Sequence, residues 1–248
     1  MRSCLALLLV ASVSSSSEAY AFLNKTVNIS SNRKALKPSF PTASRELFLQ
    51  AYLAYSEARP VGALGKGSDP YARAIHAIAQ AVAMEPENVD YLFLASQIYR
   101  GKGGISMAKD YFLRAEKLLQ ERIKADPESI GTNLDYAILC YAGDARYWKE
   151  CDAYLKKAQV QANRVLSLCK KREGDEGVRI PMAWAYLVKG NAKECEKILS
   201  SSKLPATRFY LDLYKDTVKK GKWFWPAKDP GRELLLYYMT DGGRYLLP

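Results

Sequence analysis

The chain has 248 residues and a formal net charge of +11, which is enough length for one sizeable domain with additional segments. Hydrophobic residues make up 48% and charged residues 25%, as is ordinary for a globular protein. Without residues 1–45, the remaining 31 basic and 25 acidic residues give a charge of only +6. This mild basicity suits acidic protein partners or a negatively charged membrane surface, and it does not require a nucleic acid.

Residues 1–21 have the composition of a signal peptide. A positive charge at Arg2 precedes the apolar stretch 4–13, and Ala19, Tyr20 and Ala21 form a small-x-small cleavage site. The apolar stretch is too short to span a bilayer. A polar run at residues 14–18 follows directly, which favours cleavage over a retained signal anchor.

Residues 22–45 read as a basic, transit-like or disordered segment, since they contain no acidic residue, five basic residues and six Ser or Thr. With Phe22 directly after the cleavage site, the two segments together resemble the bipartite plastid presequences of algae with complex plastids. The resemblance implies delivery to the plastid (chloroplast) through the secretory route. The alternative is a secreted or endomembrane-lumen protein with a basic arm, in which the sequons at Asn24 and Asn28 are open to glycosylation.

From residue 46 to residue 219 the chain is predicted to be helical throughout, because apolar residues recur at three- and four-residue spacings between short Gly, Pro and Asp breaks. One unit contains Tyr91, Leu94, Ala95, Ile98, Ala108, Phe112 and Ala115. This pattern resembles the tetratricopeptide repeat, in which small residues lie where two antiparallel helices approach closely.

The second-helix part of this pattern recurs at Ala74, Ala108, Cys151 and Cys195, at spacings of 34, 43 and 44 residues. The first spacing equals the repeat period of the family, and the longer ones imply extended second helices at 109–126 and 149–172. The resemblance implies an all-α, right-handed superhelical solenoid of about four tetratricopeptide-like helical hairpins plus a C-terminal capping helix at 204–219. In the first helix, 47–58, we place the small residue at Ala51.

In this family the first helix of each hairpin lines the concave face of the solenoid, which implies a set of partner-binding positions. Those positions are Tyr52, Tyr55, Ser96, Tyr99, Ile138, Tyr141, Trp184 and Leu187, with Arg100 beside Tyr99. Tyrosine, tryptophan and arginine are typical anchors of protein interfaces. The competing interpretation is that the same aromatic residues form core between stacked units.

The resemblance implies a protein-protein interaction scaffold or assembly factor that binds a partner segment, and in a plastid it points to biogenesis or stabilisation of a photosynthetic complex. The alternatives are an RNA-binding helical repeat protein and a secreted tetratricopeptide adaptor. The predicted inner face holds mainly aromatic residues and a single arginine, which counts against RNA.

Nothing in the sequence indicates an enzyme, a cofactor, a metal site or a small-molecule substrate. His76 stands alone, on the side of its helix turned away from Ala74 and Ala81. Four cysteines follow the signal peptide, namely Cys140, Cys151, Cys169 and Cys195. We expect them to be buried free thiols. A disulfide between Cys140 and Cys151 is the alternative.

Residues 220–248 form an aromatic-rich tail that includes Trp223 and Trp225. We favour a cap over the apolar end of the last repeat, because solenoids need covered ends. The alternative is a docking element for a partner or for peripheral contact with a membrane surface.

Overall fold

The structure is a computed structural model that describes residues 42–58, 69–142, 151–215 and 230–240, and this part of the chain is all-α. The predicted signal peptide, nearly all of the transit-like segment, and Trp223 and Trp225 lie outside the described residues. None of the described helices combines the length and apolar character needed to cross a membrane. The helices are α1 (Ala43–Ala58), α2 (Pro70–Met84), α3 (Val89–Gly101), α4 (Ile105–Ala125), α5 (Ile130–Ala142), α6 (Cys151–Lys170), α7 (Arg179–Val188), α8 (Ala192–Ser201), α9 (Pro205–Tyr214) and α10 (Pro230–Thr240).

The first eight of these helices form four hairpins in chain order, and this confirms the predicted fold class. In each hairpin a first helix (α1, α3, α5 or α7) packs against the second helix that follows it (α2, α4, α6 or α8), and successive hairpins stack on one another. The single helix α9 packs on α8, where the sequence predicted the capping helix. The helices α4 and α6 are 21 and 20 residues long, as the wider repeat spacings predicted.

The turn inside a hairpin uses a glycine in the left-handed region, at φ 90° for Gly103 and 75° for Gly190. A side chain is strained at such angles, so glycine is the residue that allows the chain to reverse here. In both turns the next residue donates its backbone N–H to a carbonyl of the first helix, from Gly104 to Tyr99 and from Asn191 to Tyr186. The same turn therefore closes the second and fourth hairpins.

Small side chains lie where the paired helices approach most closely, as the repeat pattern predicted. These positions are at most 2% exposed: Ala74, Ala81, Ala95, Ala108, Ala115, Ala137, Ala158, Ala183 and Cys195. A larger side chain at any of them would separate two helix backbones. Cys195 thus takes the place of an alanine as a buried free thiol, and burial raises its pKa to about 12.

A buried carboxylate joins the second hairpin to the third. Glu116 of α4 is only 6% exposed and accepts hydrogen bonds from the hydroxyls of Tyr136 in α5 at 3.0 Å and Tyr154 in α6 at 2.9 Å. The Nζ atom of Lys157 in α6 pairs with the same carboxylate at 2.6 Å. Because three groups from two helices converge on one side chain, this network fixes the register of the third hairpin on the second.

Replacing Glu116 with Ala should lower the free energy of unfolding by about 2–4 kcal/mol, since it leaves buried hydroxyls and an ammonium group without their acceptor. Chemical denaturation followed by circular dichroism measures the change. The matched control is Glu121→Ala on the same helix, whose ion pair with Lys117 is exposed and 3.9 Å long, and it should change stability by less than about 0.5 kcal/mol. Equal effects of the two substitutions would contradict this role for Glu116.

Candidate partner-binding groove

The first helices α3 and α5 are buried on every side over most of their length. Every residue from Val89 to Ile98 in α3 and from Asn133 to Cys140 in α5 is buried. A helix of this kind needs a neighbour on each face. The second helices and the adjacent hairpins cover only part of the circumference, so another element must cover the remaining side.

That element is α10, which packs against α3, α5 and α7. We call the surface that these three first helices present to α10 the inner groove. The sequence predicted that the tail caps the end of the last repeat. The described part of the tail instead lies along the first helices of three hairpins, because those helices offer apolar surface there and the buried face of α10 matches it.

The start of α10 is anchored to the end of α5 by Arg232, which is a residue of α10. The Nε atom of Arg232 donates a hydrogen bond to the carbonyl oxygen of Ala142 at 3.0 Å, and the side chain of Arg232 is 7% exposed. Ala142 is the last residue of α5, where helix carbonyls lack intrahelical partners and carry partial negative charge. A cation at this position therefore satisfies an acceptor and complements the helix dipole.

The later part of α10 is anchored by an aromatic cluster. The ring of Trp184 in α7 lies 5.2 Å from that of Tyr210 in α9 and 5.7 Å from that of Tyr238 in α10, centroid to centroid. The two tyrosine rings are themselves 5.9 Å apart, and the three pairs are edge-on or tilted, which is the arrangement that aromatic rings prefer. Burial raises the pKa of Tyr238, which thus remains a neutral phenol.

The predicted partner-binding residues fall into two groups. Five are buried, namely Tyr55, Ser96, Ile138, Trp184 and Leu187. Four others are partly exposed, namely Tyr52, Tyr99, Arg100 and Tyr141. The first group is therefore unavailable to a partner while the surrounding helices stay in place, and the second group includes the side chains that a partner can reach.

Tyr55 faces its own hairpin rather than the inner groove. It is buried, and its ring lies 6.3 Å from that of Tyr71 in α2. Tyr55 belongs to the buried stripe of α1, which repeats every three or four residues at Ser44, Phe48, Ala51, Tyr55 and Ala58. Near the start of α1 this stripe also contacts α3, where Phe48 stacks on Tyr91 at 5.0 Å. Tyr99 also contacts its second helix, since its ring stacks on Tyr111 of α4 at 5.4 Å.

The residues with catalytic or metal-binding chemistry are dispersed. Among the described residues, no group of three His, Cys, Asp or Glu side chains could hold a metal ion. His76 is exposed on α2. Cys140 and Cys169 are buried free thiols, and burial raises both pKa values, that of Cys169 to about 11. These thiols are protonated near neutral pH and are therefore poor nucleophiles.

Sequence reasoning missed α10 as part of the groove. The signal was present in its sequence, where Leu234 and Leu235 are followed one helical turn later by Tyr238 and Met239. Such spacing places all four on one face of a helix, and all four are buried. The helices α3 and α5 gave the complementary signal, because their sequences are apolar on more faces than two neighbours can cover.

Comparison with known proteins finds no matching family model and no curated relative. Among solved structures, the chain is similar to the human IFIT1 dimer with PPP-AAAA, at a TM-score of 0.31 and 14% sequence identity. The similarity covers 84% of this chain and 52% of the IFIT1 chain, so this chain spans about half the length of that one.

Replacing Trp184 with Ala should lower the free energy of unfolding by about 3–5 kcal/mol, because the substitution leaves a large cavity between α7, α9 and α10. The control is Phe209→Ala on α9, whose side chain is 46% exposed, and it should cost less than about 1 kcal/mol. Urea denaturation measures both. A small effect at Trp184 would mean that its side chain is not buried in solution.

Proposed function

We propose that this protein is a non-catalytic interaction scaffold that holds a helical segment of a partner protein in the inner groove. The observation that carries the proposal is that the groove already accommodates an 11-residue helix, α10, by side-chain anchors at both of its ends. An amphipathic helix seated in an apolar groove is a common mode of protein recognition.

The residues around the groove have the composition of a protein-binding surface. The rings of Trp184 and Tyr210 receive Tyr238 of α10, and aromatic side chains of this kind supply much of the binding energy at interfaces. Tyr141 and Arg100 remain partly exposed on α5 and α3 and add amphipathic contacts within reach of solvent. Four hairpins give a short groove, which suits one partner segment rather than a large surface.

The chemistry of the described residues also supports binding rather than catalysis. A nucleophile needs a base or a lowered pKa, whereas Cys140, Cys169 and Cys195 are buried with raised pKa values. The single histidine of the chain, His76, is exposed on the second helix α2.

We further propose that the scaffold acts in a plastid, in the biogenesis or stabilisation of a photosynthetic complex. This step is supported by the sequence of residues 1–45, with its apolar stretch, Phe22 and acid-free basic segment. The alternative is a secreted scaffold with the same groove.

A fusion of residues 1–45 to a fluorescent protein should enter the plastid when it is expressed in an alga with a complex plastid. The matched control carries Phe22→Ala and should stop in the secretory route, since it loses the aromatic residue at the new N-terminus. Fluorescence microscopy distinguishes the two locations. Secretion of the unaltered fusion would end the plastid assignment.

Partner binding is tested by placing a photo-crosslinking phenylalanine analogue at Tyr99 or Tyr141 in living cells. Both positions should capture the same partner peptide, which mass spectrometry identifies. The control position is Val160 of α6, which is 63% exposed on a second helix and should not capture that peptide. Capture at Val160 alone would place the interface on the second helices, and capture of RNA from the groove would favour the RNA-binding alternative.

A further inference from the structure

The helix α10 is held in the inner groove in the way that a bound peptide would be. It has only 11 residues, and an isolated helix of that length is marginal in water. Its conformation therefore depends on the groove. The side chains that hold it are at most 8% exposed, and they are Arg232, Leu234, Leu235, Tyr238 and Met239.

These anchors form a sequence pattern that can be read from the structure. The pattern is an arginine, two aliphatic residues at the second and third positions after it, an aromatic residue at the sixth and an apolar residue at the seventh. Two anchors have identified receptors. Arg232 bonds to the last carbonyl of α5, and Tyr238 packs against Trp184 and Tyr210.

We propose that the partner segment is an amphipathic helix that carries this same pattern and binds by displacing α10 from the inner groove. The inference rests on the proposed function, because it specifies the ligand of that groove. A single groove holds one helix at a time, so α10 is an intramolecular competitor. Because α10 is part of the same chain, it has a high effective concentration at the groove. This lowers the apparent affinity of every ligand that must replace it.

The apolar character of α3 and α5 explains why exchange is the expected mode of binding. An empty groove would expose the faces of α3, α5 and α7 that α10 now covers, including the ring of Trp184 that contacts Tyr238. A large exposed apolar patch is unfavourable in water. When a helix with the same pattern replaces α10, it buries the same surface of the groove again. The net change in exposed apolar area is therefore small.

The first test measures binding of a fluorescent peptide comprising residues 229–241 to the full chain by anisotropy. The double substitution Leu234→Asp and Leu235→Asp weakens α10 as a competitor, so this variant should bind the peptide at least about tenfold more tightly than the unaltered chain does. A control peptide with the same two substitutions should not bind. Equal affinity of the variant and the unaltered chain would overturn the proposal.

A second test needs no substitution and therefore does not depend on whether the variant folds. In the unaltered chain, excess peptide should accelerate amide hydrogen exchange in α10 and leave exchange in α5 unchanged. If α10 exchanges as slowly as α5 and the peptide does not change its rate, α10 is a permanent part of the core and the proposal is overturned.

The crosslinking experiment separates this inference from the proposed function. A groove partner that lacks the pattern of α10 would overturn the inference and leave the scaffold function standing. Displacement of α10 by the peptide, with no protein captured from the groove in cells, would instead overturn the scaffold function.

Discussion

The structure depends on one constraint, which is that α3 and α5 are buried around their whole circumference over most of their length. A stack of hairpins covers such helices on the side of the second helices and on the sides of the neighbouring hairpins. The remaining side must also be removed from water, and α10 does this along α3, α5 and α7. The inner groove is therefore a filled surface in this chain, and its contents are as much a part of the fold as its walls.

Two kinds of interaction give the hairpins their fixed positions. Alanines and Cys195 allow the paired backbones to approach, and the network around Glu116 sets the third hairpin on the second. The aromatic cluster around Trp184 then joins elements that are far apart in the chain, since it connects the fourth hairpin to α9 and to α10. The same aromatic contacts therefore stabilise the fourth hairpin and hold α10 in the groove.

The local pattern of the sequence was sufficient to predict the hairpins, because spacing between small residues reports directly on helices that touch their sequence neighbours. It did not predict the orientation of Tyr55, because the same periodicity of α1 fits a face turned toward the groove and a face turned toward α2, where Tyr55 meets Tyr71. It did not predict the position of α10 either. The contact between Arg232 and Ala142 joins residues 90 positions apart, and no periodicity within a helix specifies such a pairing. For the same reason, the pattern singled out Trp184 without showing that Tyr238 of α10 covers it.

The most direct test of this account is a double-mutant cycle between Trp184 and Tyr238, using Trp184→Leu and Tyr238→Ala and measuring the free energy of unfolding of the single and double variants. Because the two rings are in contact, the account predicts an interaction energy of at least about 0.5–1 kcal/mol. The control cycle combines Trp184→Leu with Phe48→Leu in the first hairpin and should be additive. Additivity within about 0.3 kcal/mol for Trp184 and Tyr238 would contradict the account, since it would mean that α10 does not occupy the groove.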